Sequence, residues 1–319
     1  MISWFVEHAR DLPWRYTRDP YHVLVSEIML QQIQVAQVVP FYLAFLEHFP
    51  TVETLAEAPI AEAIRVWGDL GRYKRVVNLH ACARLIVEEH DGKVPSDPGV
   101  LATLPGIGPY TAGAVACFAF GKDVAFVDTN MRRVLHRLFF GPEVPAPEAK
   151  EREILEVASE IVPSGRSWEW NQALMELGAL RCTARRPVCD SCPVAGSCRA
   201  RVGIQDALAA VPYSPKKPAY RYEGSNRYYR GRALACLRDA PEGGVTLRDL
   251  GAALREGFTD ADLSWVEGIA RSLEKDGLAV LSEQRSVYAY AVAESRLAYG
   301  AEGSVCDEGP GAIRISLPR

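Results

Sequence analysis

The sequence predicts a mainly α-helical protein with a small C-terminal α+β domain. Helix-length amphipathic segments dominate to about residue 203, and no alternating strand pattern interrupts them. Further along, three helical segments precede LAVLSEQRSVYAYAV, whose alternation predicts a β-hairpin and, with the helices, a winged-helix-like domain. We expect a helical domain over 1–203, a linker over 204–219, the winged-helix-like domain over 220–292 and a loosely ordered tail over 293–319.

The composition is that of a globular protein. The 319 residues are 48% apolar and 24% charged, enough for one large or two ordinary domains with hydrophobic cores. The N-terminus, MISWFVEHARDLPWR, lacks a secretory signal, and no apolar run approaches the roughly 18 residues of a membrane helix. We therefore expect a cytoplasmic protein with no membrane segment. We also expect a monomer.

The net charge weighs against a nucleic-acid partner, but the charge is unevenly distributed. The formal net charge is -4, whereas nucleic-acid-binding proteins usually carry a basic surface. The stretch KKPAYRYEGSNRYYRGR has six cationic residues, one acidic residue and four tyrosines. This mixture fits phosphate contact plus base stacking, and it fits a solvated linker about equally well.

Four of the eight cysteines are concentrated in CTARRPVCDSCPVAGSC. Cys182, Cys189, Cys192 and Cys198 have the spacing C-x6-C-x2-C-x5-C. Disulfides are the alternative, but a reducing compartment favours metal binding. Four thiolates suit either tetrahedral zinc or a [4Fe-4S] cluster, and the spacing alone does not separate the two.

The stretch LPGIGPYTAGAV places Gly106 and Gly108 immediately before a predicted helix. Glycine adopts backbone conformations that are barred to other residues, and the free amides of a helix N-terminus can bind an anion such as a phosphate. A tight turn between two packed helices is the alternative interpretation.

Two carboxylates are candidates for acid catalysis. Glu27 lies in HVLVSEIMLQQ among apolar helical neighbours, and burial there would raise its pKa as a general acid requires. An exposed glutamate on an amphipathic helix is the alternative. Asp128, in FVDTNMRRVL, precedes a predicted helix, a position that favours an N-cap.

Several motifs together resemble one known family. PWR…DPYHVLVSEIMLQQIQV, LGRYKRVVNLH, LPGIGPYTAGAV, VDTNMRRVL, WNQALMELGALRCT and the four cysteines have the order and spacing of the adenine DNA glycosylases, the MutY family of the endonuclease III superfamily. The resemblance covers about residues 1–203. It implies a helix-hairpin-helix DNA glycosylase fold of two helical subdomains, with a [4Fe-4S] cluster on the four cysteines. The implied partner is double-stranded DNA containing a mismatched or damaged base pair.

The resemblance also implies catalytic roles. Glu27 would protonate the departing adenine, and Asp128, with Asn130 close by, would stabilise positive charge on the sugar until water completes hydrolysis. Here DTN replaces the commoner D-G-N, which alters the backbone between the two side chains. Tyr110 stands where the endonuclease III branch has a lysine that forms a Schiff base. Because a phenol cannot form that imine, the resemblance implies an enzyme that removes a base without cutting the strand.

Further positions match residues that contact DNA in the family. They are the wedging residues Gln32 and Tyr73, the phosphate-binding Gly106 and Gly108, and the adenine-pocket residues Arg15 and Gln172. One departure is Arg72, which replaces the first tyrosine of the usual L-G-Y-Y.

The expected function is hydrolysis of the N-glycosidic bond of adenine opposite 8-oxoguanine or guanine, in base excision repair. The strand-rich MutT-like domain typical of the family is not recognisable in residues 217–290. Its lack, together with Tyr110, favours a first alternative, a thymine or uracil mismatch glycosylase. A second alternative is a non-catalytic iron-sulfur DNA-binding regulator, which the presence of both Glu27 and Asp128 opposes.

Overall fold

The computed structural model describes residues 1–211, 221–283 and 313–319. The described residues divide into two compact units. The first comprises Met1–Ala56 and Ala81–Lys216, and the second comprises Glu57–His80 and Lys217–Arg319. Segment 57–80, which the sequence places within the helical domain, thus groups with the C-terminal elements. The domain boundaries expected from the sequence remain a prediction.

The chain is mainly helical, which confirms the predicted fold class. Up to residue 211 the α-helices are α1 (Ile2–His8), α2 (Pro20–Leu30), α3 (Val35–His48), α4 (Val52–Glu57), α5 (Ile60–Trp67), α6 (Lys74–His90), α7 (Pro98–Leu101), α8 (Pro109–Phe120), α9 (Thr129–Phe139), α10 (Glu151–Glu160), α11 (Ser167–Leu180) and α12 (Ile204–Ala210). Of the predicted linker, residues 204–210 therefore form a helix, and residues 212–219 lie outside the described residues. None of the described helices is both long and apolar enough to cross a membrane.

Helices α2 and α8 form the centre of the first unit. Both are apolar around most of their circumference, as expected of helices surrounded by other elements. Asp19 caps α2 by accepting hydrogen bonds from the backbone amides of Tyr21 and His22. On α8, Gly113 permits the close approach of the segment before α9, because a Cβ there would lie 2.7 Å from the Cβ of Phe126. Helices α2 and α8 pack directly against each other.

The second unit contains three C-terminal helices and a small sheet. The helices are α13 (Asn226–Asp239), α14 (Leu247–Leu254) and α15 (Leu263–Lys275), and the strands are β1 (Val245–Thr246), β2 (Val280–Glu283) and β3 (Ile313–Ser316). Ser225 and Thr246 cap α13 and α14 through their hydroxyl groups. The sheet is antiparallel in the order β1-β3-β2, with Ile315 paired between Val245 and Leu281. Helices followed by a small sheet match the winged-helix-like expectation.

The sequence expectation is wrong about the end of the chain. Strand β2 forms where the first strand of the hairpin was predicted, and residues 284–292 lie outside the described residues. The described partner of β2 is β3, which comes from the tail that was expected to be loosely ordered. The physical reason is the alternation of Ile313, Ile315 and Leu317 with polar residues, which buries Ile315 completely. Residues 293–312 of the tail lie outside the described residues.

Candidate active site

Glu27, Tyr110 and Asp128 meet where α2, α8 and α9 come together. Glu27 lies on α2 and is 5% exposed, as the burial interpretation of its apolar neighbours predicts. Tyr110, in the first turn of α8, donates a hydrogen bond from its hydroxyl to the Glu27 carboxyl. Asp128, at the N-terminus of α9, is close enough for its charge to act on both groups. The structure therefore brings together three side chains that the sequence analysis expected to be catalytic.

The environment of Glu27 favours its protonated form. Burial raises the pKa of Glu27 to about 7, the hydrogen bond from Tyr110 opposes that rise, and the negative charge of Asp128 adds to it. A carboxyl with this pKa carries a proton in a large fraction of molecules at neutral pH. The group is thus able to act as a general acid under ordinary conditions.

Tyr110 remains a neutral phenol in this environment. Burial raises its pKa well above the ordinary value, and the neighbouring carboxylates of Glu27 and Asp128 raise it further. Its ring packs edge-on against Phe126, with centroids 5.5 Å apart. Held in this way, the phenol can orient the Glu27 carboxyl but supplies no amine.

Asp128 caps helix α9, so the N-cap interpretation is confirmed. Its Oδ1 accepts a hydrogen bond from the Met131 amide at 2.6 Å, and its Oδ2 accepts one from Asn130 Nδ2 at 3.2 Å. These bonds fix the carboxylate in one orientation near Glu27. This geometry allows the same carboxylate both to cap α9 and to act electrostatically on the group beside it.

Arg133, which the sequence reasoning missed, links Asn130 to the cysteine loop. Its Nη2 donates to Asn130 Oδ1 at 2.9 Å and to the Gly178 carbonyl at 2.7 Å, while its Nε donates to the Cys182 carbonyl at 2.7 Å. Gly178 allows α11 to approach α9, because a Cβ there would lie 2.8 Å from the Cβ of Asn130. The arginine lies inside the VDTNMRRVL motif, which was a signal for a role in this region.

The four clustered cysteines line a single pocket beside the end of α9. They line it together with apolar side chains that include Pro187, Val188, Ala200 and Ile204. None of the four forms a disulfide. Arg137 of α9 donates from Nη1 to Cys182 Sγ at 3.5 Å, and Cys198 Sγ lies 3.3 Å from the Arg137 carbonyl oxygen.

The donor set fits a cluster better than a single ion. Within the described residues, no three histidine, cysteine, aspartate or glutamate side chains are grouped closely enough to hold one metal ion. A cubane instead takes each thiolate on a different iron, so its ligands stand around a wider space than the ligands of one zinc. The pocket brings together the four thiolates that a [4Fe-4S] cluster requires.

The two predicted adenine-pocket residues are in direct contact. Arg15 Nε donates to Gln172 Oε1 at 3.0 Å, and Arg15 Nη1 donates to the Arg10 carbonyl at 2.7 Å. Its remaining nitrogen, Nη2, donates to Glu176 Oε2 at 2.8 Å. The guanidinium is therefore fixed on three sides.

Glu176 holds two arginines from a fully buried position. Besides Arg15, it accepts hydrogen bonds from the backbone amide, Nε and Nη2 of Arg10 at 2.8–2.9 Å. Burial by itself would raise the pKa of Glu176, but the hydrogen bonds from Arg10 and Arg15 lower it to about 2. Sequence reasoning missed both Glu176 and Arg10. The position of Glu176 among the apolar residues of WNQALMELGALRCT was a signal that could have identified it.

Two of the four residues expected to contact DNA, Gln32 and Gly106, have left-handed backbone conformations. Gln32, in the turn after α2, has φ of +57°, and Arg72 has φ of +50°, both in the left-handed region that is unfavourable for side chains with a Cβ. Gly106, with φ of +78°, makes the turn before α8, and Gly108 is the N-cap of that helix. Tyr73 belongs to the second unit, where the guanidinium of Arg238 lies over its ring. Strained residues of this kind are concentrated at binding sites.

Comparison with known proteins agrees with this geometry. Residues 25–160 match the family described as HhH-GPD superfamily base excision DNA repair protein, and residues 182–198 match the iron-sulfur binding domain of endonuclease III. The chain is 44% identical over 242 residues to the adenine DNA glycosylase of Mycolicibacterium smegmatis, covering 75% of this chain and 80% of the relative.

Two solved structures are also similar. The structure of a thermostable thymine-DNA glycosylase has 32% identity and a TM-score of 0.58, covering 63% of this chain and 92% of that one. A non-covalent endonuclease III–DNA complex has 25% identity and a TM-score of 0.54, covering 62% and 90%.

The helical fold, the paired carboxyl groups and the cysteine loop thus define a DNA glycosylase of base excision repair with the helix-hairpin-helix fold. Within that class, the chain belongs to the adenine DNA glycosylases. It is a DNA-binding enzyme and carries a [4Fe-4S] cluster in its endonuclease III-type iron-sulfur domain. The family, enzyme class and cofactor predicted from the sequence are confirmed.

Proposed function

We propose that this enzyme is a monofunctional glycosylase that hydrolyses the N-glycosidic bond of adenine paired with 8-oxoguanine or guanine. The observation that carries the proposal is the group formed by the buried Glu27 with Tyr110 and Asp128, which offers a proton, a neutral phenol and a fixed carboxylate. We further propose that it acts as a monomer on double-stranded DNA.

In the proposed reaction Glu27 donates its proton to a ring nitrogen of the adenine. The bond between the sugar carbon and the base then breaks, and its electron pair leaves with the base. The sugar is left with oxocarbenium character, which the negative charge of Asp128 stabilises across a water-poor site. A water molecule attacks the sugar carbon and gives one proton to the Glu27 carboxylate, which restores the acid. Asn130 keeps the Asp128 carboxylate in place during these steps.

The remaining predicted residues present the base to this group. Extruding a nucleotide from the stack costs a few kcal/mol, so side chains must fill the gap. We assign that role to Gln32 and Tyr73, and the binding of a backbone phosphate to the hairpin amides around Gly106 and Gly108. Arg15 and Gln172 line the pocket for the extruded adenine. Cys182, Cys189, Cys192 and Cys198 would hold the cluster, which would cross-link the loop 182–198 and so stabilise its fold.

A specific observation supports a second candidate, removal of thymine from T·G pairs. The chain is 32% identical to the thymine-DNA glycosylase of known structure. The 44% identity to an adenine DNA glycosylase, over a larger share of the chain, favours adenine.

Single-turnover excision from matched duplexes tests the proposal. Duplexes containing A·8-oxoG, A·G, T·G and U·G should show base loss at the first two pairs, and strand breaks should follow only after alkali treatment. Because Tyr110 has no amine, borohydride should trap little enzyme–DNA adduct during turnover. Faster excision from T·G than from either adenine pair would show that thymine, and not adenine, is the substrate. Efficient borohydride trapping would contradict the hydrolytic mechanism.

A further inference from the structure

The loop before α6 in the second unit has an unfavourable backbone conformation. Residues Gly68–Leu70 form a short 3-10 helix, and Gly71 and Arg72 follow with φ of +75° and +50°. The buried Trp67 fixes one side of the loop by donating its indole Nε1–H to the Gly71 carbonyl at 2.9 Å. A non-glycine residue keeps a left-handed conformation only where its surroundings hold it there.

The opposite side of the loop is held by Arg238, at the end of α13. The Cζ atom of Arg238 lies 5.8 Å from the centre of the Tyr73 ring, within the distance of a cation–π interaction. The Nη2 atom of the same guanidinium binds Asp69 Oδ1. One arginine thus contacts residues on both sides of the strained positions 71 and 72.

The burial of Arg238 indicates that the contact is more than a surface ion pair. Its side chain is only 13% exposed, whereas that of Asp69 is 83% exposed. Its Nε is buried and has no hydrogen-bond partner among the described residues. The Arg238 carbonyl accepts a hydrogen bond from Arg65 Nε at 3.2 Å, which joins α13 to α5 just before the loop. The guanidinium is therefore placed over the Tyr73 ring although one of its own donors stays unpaired.

We propose that Arg238 is a positioning residue that holds the Tyr73 ring in place for insertion into DNA. The C-terminal helices then serve to support the loop that carries Tyr73. This inference rests on the proposed function, in which Tyr73 is a wedging residue. It gives the C-terminal part of the chain a task in base extrusion that requires no direct reading of the opposite base.

Amide hydrogen exchange tests the positioning without DNA. In the full-length enzyme, Arg238→Ala should speed exchange in residues 68–75, and Arg238→Lys, which keeps a cation, should largely restore protection. Arg248→Ala is the matched control, because it breaks an exposed ion pair with Asp260 in the same unit. Asp69→Asn weakens the ion pair with Arg238 by changing its exposed partner. This variant replaces Arg238→Ala in the experiment if Arg238→Ala does not fold. Unchanged exchange in folded Arg238→Ala, or in Asp69→Asn as its replacement, overturns the positioning role.

A double-mutant cycle tests whether the effect reaches DNA through Tyr73. Single-turnover excision should fall about tenfold in Arg238→Ala, and the variant that also carries Tyr73→Ala should be no slower than Tyr73→Ala alone. Multiplying losses would show that Arg238 acts by another route, which overturns the inference and leaves the proposed function intact. If Arg238→Ala loosens the loop but Tyr73→Ala excises at the wild-type rate, the wedging role assigned to Tyr73 fails, and the inference fails with it.

Discussion

Two buried glutamates of the first unit have opposite ionisation behaviour. Glu27 on α2 is 5% exposed and Glu176 on α11 is 0% exposed, yet the pKa of Glu27 is about 7 and that of Glu176 is about 2. Burial by itself would raise the pKa of either carboxyl group. The difference between the two pKa values therefore comes from the groups that each carboxyl contacts. Glu27 faces a neutral phenol and a second carboxylate, whereas Glu176 faces the guanidinium groups of Arg10 and Arg15. Charge state in this core is therefore set by what each carboxyl touches.

The comparison separates a chemical role from a structural one. A carboxyl that holds a proton near neutral pH can give it to a leaving group, and Glu27 has that property. A carboxylate that stays ionised over the whole physiological range can hold two cations in fixed positions, as Glu176 does. Replacing each glutamate by glutamine should therefore affect different measurements.

The largest effect is expected from Glu27→Gln. The amide cannot donate a proton of comparable acidity, so single-turnover base excision should fall by about 100-fold to 10,000-fold. The affinity for duplex DNA should stay close to that of the wild type, since the side chain keeps its size. Excision and binding measured on the same A·8-oxoG duplex check both statements. A loss of less than about tenfold would show that Glu27 is not the acid.

Glu176→Gln should chiefly reduce stability. Removing the carboxylate leaves the buried Arg15 and the partly exposed Arg10 without their shared counterion, at a cost of about 3 kcal/mol of unfolding free energy. Urea unfolding measures this loss, with Glu160→Gln, an exposed change on α10, as the matched control. Excision should fall less than in Glu27→Gln, through the weakened hold on Arg15. Wild-type stability in this variant would mean that the arginines do not depend on Glu176.

The smallest expected effects are those of a change of one pH unit. Excision should decline by about tenfold for each pH unit above about 7, because Glu27 must carry its proton to act. The stabilisation from Glu176 has the opposite direction. Its pKa is lowered on folding, so the stabilisation is present above the unfolded value and is lost as pH falls towards about 2.

Glu27→Gln and Glu176→Gln separate the two pH effects. Glu27→Gln should flatten the excision profile, and Glu176→Gln should flatten the acid limb of the unfolding free energy. If the excision profile keeps its fall near pH 7 in Glu27→Gln, another group is responsible for it.

Sequence reasoning succeeded where local signals agreed. The helical periodicity gave the fold class. The burial of Glu27 is confirmed, although only the resemblance, and not its apolar neighbours alone, favoured it over an exposed glutamate. The position of Asp128 before a helix correctly indicated an N-cap. The cysteine spacing identified a cluster loop only once the resemblance had removed zinc, since four thiolates suit both.

What the sequence did not reveal depends on partners far apart in the chain. Glu176 meets Arg10 across 166 positions, and Arg238 meets Asp69 across 169. No period or motif joins such residues, so neither pair could be inferred from local pattern. The strand at 313–316 was missed for a related reason. Four alternating residues do not by themselves predict a strand, because the strand forms only when partner strands pair with it.

Strand β3 is the middle strand of the sheet but is the last of the three to be synthesised. Segment 57–80 leaves the ribosome more than 230 residues before Ile313, yet both belong to the same unit. The sheet cannot close until residue 316 has emerged, so this unit is completed only after translation has passed that point. A premature stop codon anywhere between β2 and Ile313 would remove the strand to which both β1 and β2 are bonded.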